Sequence, residues 1–436
     1  MKIAYFKRDI TPEIPCLVAG YNYSDTARKV RDALYMCGLA CDDGEKKILI
    51  ISFDLLALDE WFIQRVRKNC AGILGAEESS ILFTCTHNHS GPQTIAEANA
   101  EDKENAPYME KLQAAIYEEV KALEGRYQPC DVYFYSMKID ENRNRRYTAN
   151  DNMATFTPHR REIVPLAGEY ADKEFGALIF TTPGSHDPIY AIGNYAAHPL
   201  AGHGPGLGNY IISADFPGAF REYVTEETGA ECMYITGAAG DMVPKGDELG
   251  SAAVKEMGVN LGKGMLAAIL DALRNPGRFK LVEPKLGSKI TVFHAPLRKR
   301  YYKNPKKLAS YYLNMEEFSQ EIQLVSIGDI AFVGVPGELC AELGQEIKWH
   351  SPFKKTFIAF CSTAYLDYIV PANFFVSGGY ESKVHRFSAR NTIDFVKCAV
   401  DGLFSLRDEV YPVPEGEEPY PDGLELPLVN ILPNKK

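Results

Sequence analysis

The chain has 436 residues, 46% of them apolar and 24% charged, a composition that predicts an ordinary soluble globular protein and excludes a disordered or fibrous one. A formal charge of −11 argues against nucleic acid or an anionic membrane surface as the main partner. No apolar run approaches the roughly 20 residues of a transmembrane helix, so no transmembrane segment is expected.

The opening Met1-Lys2-Ile3-Ala4-Tyr5-Phe6-Lys7-Arg8 has neither the apolar stretch nor the cleavage site of a secretory signal. A cytoplasmic location is therefore expected, with a secreted or periplasmic one open if the start was trimmed. The ten cysteines form no C-x-x-C pair, and Cys85, Cys232, Cys340 and Cys361 lie in apolar stretches. Buried free thiols in a reducing compartment explain them better than disulfides.

In chain order, segments 33–40 and 47–52 predict a hairpin around Asp42-Asp43-Gly44-Glu45, its second strand running into Asp54. A helix is expected over 59–74. The apolar Ile81-Leu82-Phe83 predicts a buried strand ending at Thr86-His87-Asn88-His89-Ser90-Gly91-Pro92. Met109, Leu112, Ile116, Val120 and Leu123 mark one face of a helix. Segment 131–139 alternates like a strand and leads into Asn142-Arg143-Asn144-Arg145-Arg146-Tyr147, read as a basic loop. A second hairpin is expected over 177–181 and 189–197, followed by His198-Pro199.

Beyond a Gly-rich stretch at 202–208, Asp215 is expected to cap a short helix with Pro217 in its first turn. A short strand at 233–235 feeds Gly237-Ala238-Ala239-Gly240-Asp241, and a long helix follows over 254–273. A third hairpin, 323–326 and 330–335, ends at Pro336-Gly337-Glu338. From 407 the chain turns Pro-rich and acidic and reads as a surface-packed tail, leaving 1–406 as one large domain. The expected fold class is α/β, with mixed β-sheets, flanking helices and the site at the loop ends of several strands.

Asp54, His198 and Glu338 each follow the second strand of a hairpin, an architecture that recurs without a sequence repeat. In extended chain, His87 and His89 would project to one face. His87, His198 and Glu338 together supply a His/His/Glu set of the kind that holds catalytic zinc. A core histidine at His198 and a first-turn helix carboxylate at Glu338 are the plainer readings of the same residues.

The motif Thr86-His87-Asn88-His89-Ser90-Gly91-Pro92 resembles the T-H-x-H-S-G-P of the neutral/alkaline, non-lysosomal ceramidase family. The resemblance continues through Asp9-Ile10-Thr11-Pro12, Asn142-Arg143, His198, Gly240-Asp241 with Pro244, Pro336-Gly337-Glu338 and Tyr365-Leu366-Asp367-Tyr368. Tyr380-Glu381 falls at the family's spacing after Tyr368.

This resemblance implies a zinc-dependent amidohydrolase that cleaves the N-acyl bond of a ceramide-like lipid through metal-activated water. It implies His87, His198, Glu338 and Tyr368 as ligands of Zn2+, and His89, Arg143 and Tyr380 as residues facing the substrate. Arg145 or Arg146 could occupy the space given to Arg143.

Two departures stand out. Val243 lies where the family carries its proposed catalytic serine, which excludes a serine-based mechanism at this position. Family enzymes that act on ceramide usually add a C-terminal β-sandwich domain, whereas this sequence ends in the Pro-rich stretch. The alternatives are an esterase or amidase for a small non-lipid substrate, and a metal-binding homologue without turnover.

Overall fold

The structure is a computed structural model describing residues 1–20, 25–95, 106–148, 154–155, 170–185, 187–202, 210–246, 249–298 and 317–412. The Gly-rich segment 203–208 and the tail from 413 onward lie outside the described residues.

Three sheets are built on one plan. In the first, β1 (Lys2–Asp9) and β2 (Tyr35–Asp42) pair antiparallel, β2 forms a hairpin with β3 (Lys47–Phe53), and β3 pairs parallel with β4 (Ile81–Cys85) after helix α1 (Glu60–Leu74). Asp-Gly chemistry makes the hairpin turn, with Asp42 Oδ1 accepting the Gly44 N–H at 2.8 Å. Helix α2 (Ala106–Ala122) buries Leu112, Ile116 and Val120, the face set by their spacing.

The second sheet repeats the plan. It contains β5 (Asp131–Lys138), the hairpin of β7 (Glu174–Thr181) and β8 (Pro188–Tyr195), and β9 (Glu231–Thr236), parallel to β8 after helix α3 (Asp215–Thr228). Between β5 and β7 lies a short strand, β6 (Asn142–Asn144), which pairs antiparallel with β10 (Met242–Pro244). The stretch read as a basic loop thus begins as a strand, because Asn142 and Asn144 are buried and hydrogen-bonded on its inner face.

The third sheet follows helix α4 (Ser251–Arg274). It runs β11 (Leu286–Pro296), β12 (Glu317–Ile327), β13 (Ile330–Gly334) and β15 (Lys355–Ala359), with β13 and β15 parallel. Between them come β14 (Glu338–Leu339) and helix α5 (Ala341–His350). Then β16 (Tyr368–Ile369) pairs parallel with β14, and α6 (Asn373–Ser377), α7 (Tyr380–Val384) and α8 (Asn391–Val410) follow. Helix α8 carries the chain past 407 and buries Leu406 and Val410.

The sheets share a core in which Leu39, Ile50 and Leu82 of the first meet Phe180, Ile192 and Met233 of the second and Val325, Phe332 and Phe357 of the third. Their parallel strands end together. Thr84 Oγ1 donates to the Phe360 carbonyl at 2.7 Å, Thr236 Oγ1 donates to the Thr86 carbonyl at 2.7 Å, and the Phe360 N–H reaches the Thr236 carbonyl at 3.1 Å. The loops beyond these strand ends carry the polar residues singled out above. Among the described residues no helix is long and apolar enough to cross a membrane.

Candidate metal centre

His87 follows β4 and has φ of 64°, a left-handed conformation that non-glycine residues seldom adopt. The strand ends at Cys85, so alternation along extended chain does not govern the histidines. His87 and His89 still converge, their ring centroids 4.8 Å apart at 81°, because the left-handed kink turns His87 inward. His198, after β8, lies 4.8 Å from His87 and 5.7 Å from His89. Ligand atoms of the three histidines all fall within 4.8 Å of one another.

Each inner ring is oriented by the backbone. His87 Nδ1 lies 3.0 Å from the Leu56 carbonyl, and His198 Nδ1 lies 3.0 Å from the Met242 carbonyl. A carbonyl only accepts, so in the neutral rings the proton sits on Nδ1 and Nε2 keeps its lone pair. Both Nε2 atoms face one carboxylate oxygen. Glu338 Oε2 is 3.0 Å from His198 Nε2 and 3.4 Å from His87 Nε2. His87 Nε2 is buried without a hydrogen bond of good geometry.

Three lone-pair-bearing atoms at such separations repel unless a cation lies among them. Tetrahedral zinc with bonds of about 2.0–2.1 Å has ligand edges of about 3.3 Å, so the residues fit the ion. Burial pulls His198 down to about 4, holding it neutral at pH 7, as a ligand must be. Burial also opposes the charge on Glu338, yet that carboxyl stays well below its ordinary value beside His87 and His198. This requires positive charge on their side of the site, a proton or a metal ion.

Register delivers the fourth residue. Glu338 and Tyr368 are direct partners in the parallel pair of β14 and β16, so their side chains share a face. Burial raises the Tyr368 phenol well above its ordinary value, while Arg145, hydrogen-bonded to it, pulls the other way. Arg145 lies 5.3 Å from the Tyr368 ring centre, and its Nε donates to Glu381 Oε1 at 2.8 Å. Glu381 Oε2 in turn accepts from Arg146 at 2.7 Å. Tyr380, 47% exposed, packs on Tyr368 with ring centroids 5.5 Å apart.

Arg143 pairs in β6 with Val243 in β10, on the face opposite buried Asn142 and Asn144. The guanidinium seen against Tyr368 is that of Arg145, one of the alternatives left open by the sequence.

Other parts hold this arrangement. Phe360 packs beneath His87 and His198 at 5.2 and 6.1 Å. Gly20, at φ of 95°, lies so close to His89 that a Cβ there would overlap the ring. A Cβ at Gly240 would come within 2.7 Å of the Glu338 carbonyl, which is why the Gly-Asp turn carries no side chain at that point. Asp241 Oδ1 accepts the Ala341 N–H at 2.8 Å and Oδ2 accepts from Asn144 at 2.6 Å. Cys361 (φ 45°) and Asp367 (φ 56°) are likewise left-handed, so backbone strain gathers around the site.

Two polar residues have other tasks. Asp54 is tied to Arg221 in a buried ion pair and accepts the Tyr35 N–H at 2.8 Å. Asp215 sits one residue inside its helix at φ of 54°, and its carboxylate accepts the Ala201 and Gly202 N–H groups at 3.2 and 2.7 Å. It anchors the loop after His198 as well as the helix start, a task its local sequence does not announce.

No protein-family model matches the chain, and no curated protein does. Solved structures do match. The neutral ceramidase of Pseudomonas aeruginosa superposes with a TM-score of 0.74 over 97% of this chain and 76% of that one, at 15% identity. The fold is that of the neutral ceramidases. A ceramidase complexed with C2 matches with a TM-score of 0.73 over 94% of this chain and 75% of its own, at 14% identity. A ceramidase fold is an α/β architecture with mixed sheets and flanking helices, as the strand and helix order anticipated.

Proposed function

We propose that this chain is a zinc-dependent hydrolase that cleaves the amide bond of an N-acyl, ceramide-like lipid. The observation that carries the reading is the convergence of His87 Nε2, His198 Nε2 and Glu338 Oε2, within 3.0 and 3.4 Å, inside a ceramidase fold. His87, His198, Glu338 and Tyr368 would hold the metal. When bound, zinc supplies Lewis acidity toward a carbonyl and lowers the pKa of its water to about 7.

The chain's own residues do the rest. The Leu56 and Met242 carbonyls hold the inner rings in one tautomer. His89 stands beside them with its pKa depressed, first by burial and then by His87 and His198. It is neutral at pH 7, so it can take the proton that the attacking water gives up and hand it to the departing amine. Arg143, or Arg145 in its place, supplies cationic donors for a substrate oxygen, and half-exposed Tyr380 offers a hydroxyl at the mouth. Phe360 keeps water from the inner side of the rings. Val243 offers no nucleophile, so the attacking oxygen comes from water. All ten cysteines are free, which supports a reducing, cytoplasmic setting.

The test is hydrolysis of a fluorescent short-chain ceramide beside a panel of small polar amides and esters. The expected result is release of the fatty acid and the amine from the ceramide, with the panel turned over more slowly. Turnover confined to the panel would overturn the lipid assignment, and turnover of nothing would favour a metal-binding homologue without catalysis.

A further inference from the structure

The Tyr-x-x-Tyr pattern contributes two tyrosines, and only Tyr368 has a task so far. Tyr365 lies three residues earlier, and its hydroxyl donates to Glu338 Oε1 at 2.8 Å. Its ring stacks at 30° to that of His87, with centroids 6.1 Å apart. The two oxygens of Glu338 therefore keep different company. Oε2 faces His198 and His87 Nε2 at 3.0 and 3.4 Å, while Oε1 is held by the phenol.

A carboxylate that can swing presents either one or both oxygens to a cation. One that receives a charge-assisted hydrogen bond on Oε1 has that oxygen fixed away from the metal position. Its backbone is fixed as well, since the Glu338 N–H reaches the Asp367 carbonyl at 2.8 Å, two residues beyond Tyr365.

We propose that Tyr365 is a positioning residue that makes Glu338 present a single oxygen to the metal, leaving room for the water and substrate that catalysis requires. The inference rests on the zinc reading above. It assigns Tyr365 a task through Glu338, not a contact with substrate. Hydrogen bonds of this kind behind a metal ligand are typically worth about 10- to 100-fold in metal affinity.

The experiment compares zinc-loaded wild type with Tyr365→Phe. Zinc affinity is read by competition with a chromogenic chelator, and coordination by the d–d absorption of the cobalt(II)-substituted proteins. The expected result is an affinity about 10- to 100-fold weaker in Tyr365→Phe, with an altered cobalt spectrum. The metal-free variant should stay folded, its melting temperature lowered by no more than one lost hydrogen bond accounts for. The effect on zinc affinity should vanish in a Glu338→Gln background, as a double-mutant cycle requires. Equal affinity with an unchanged cobalt spectrum would overturn the role of Tyr365 and leave the zinc site standing. A wild type that binds no zinc would overturn both.

Should Tyr365→Phe not fold, infrared spectra of the zinc-loaded wild type decide the matter. A wide separation of the Glu338 carboxylate stretches, assigned by isotope labelling and by their loss in Glu338→Gln, marks one-oxygen ligation. A narrow one marks two and contradicts the proposal.

Discussion

Glu338 Oε2 lies 3.0 Å from His198 Nε2, although 140 positions separate the two residues along the chain. Each follows the second strand of a hairpin, in different sheets, and the contact forms where those sheets end together. A cation among them, or a proton on the imidazole nitrogen, makes that closeness electrostatically favourable. Glu338→Gln keeps the shape and removes the charge, so zinc affinity should fall more than about 100-fold. The metal-free protein should hold its melting temperature or gain, since the amide can donate to His198 Nε2. A chelator-competition titration and a thermal scan check both halves.

Gly20 carries His89 on its open face. Gly20→Ala places a methyl against the ring in a backbone conformation, φ of 95°, that alanine resists. The expected cost is about 1–2 kcal/mol of stability, with at least a tenfold loss of turnover, about 1.4 kcal/mol of barrier. Zinc content should stay at the wild-type level, because His87, His198 and Glu338 are untouched. Metal analysis beside steady-state kinetics makes the comparison, and turnover at the wild-type rate would deny His89 its part.

Asp54 and Arg221 form the buried pair that props up the histidine loop, for the Asp54 carbonyl also accepts from Asn88 at 3.2 Å. Burial raises the Asp54 pKa and Arg221 opposes that rise. Arg221→Leu should cost about 3–5 kcal/mol in urea unfolding, because it strands a buried carboxylate. Adding Asp54→Asn should recover a good part of the loss.

His385 predicts acid sensitivity. It is fully buried between Phe375 and Phe387, its Nδ1 is 2.8 Å from the Tyr368 carbonyl, and burial lowers its pKa to about 3. A histidine depressed in the fold contributes stability that is present above its ordinary value of about 6.5 and lost as pH falls below it. Between pH 7 and pH 5 the loss from this group is about 2 kcal/mol. His385→Gln should shrink the stability difference between those pH values by that amount, read from urea unfolding. An unchanged difference would place the sensitivity elsewhere.

Hairpins, helices and the His/His/Glu set were legible because they rest on local chemistry: Asp-Gly turns, apolar periodicity, and imidazoles or a carboxylate just past apolar strands. What escaped depends on contacts across the fold. The left-handed turn at His87 is imposed from outside, as its ring reaches the Leu56 carbonyl, so strand alternation gave the right convergence for the wrong reason. Asn142–Asn144 became a strand because Met242–Pro244 lies alongside it. Asp215 serves the loop after His198 as well as the start of its helix. Arg145 stood in the stretch read as a basic loop and Tyr365 in the Tyr-x-x-Tyr motif, yet only the register of β14 with β16 and the position of Glu381 show what they touch.

Metal content tests the central claim most directly. Purified wild type and His198→Ala should be compared by elemental analysis, each alongside hydrolysis of the fluorescent short-chain ceramide before and after chelation. The account predicts one zinc per wild-type chain, turnover that chelation removes and added zinc restores, and neither zinc nor turnover in His198→Ala. A wild type that hydrolyses the substrate equally well without metal, or that holds no zinc at all, would contradict it.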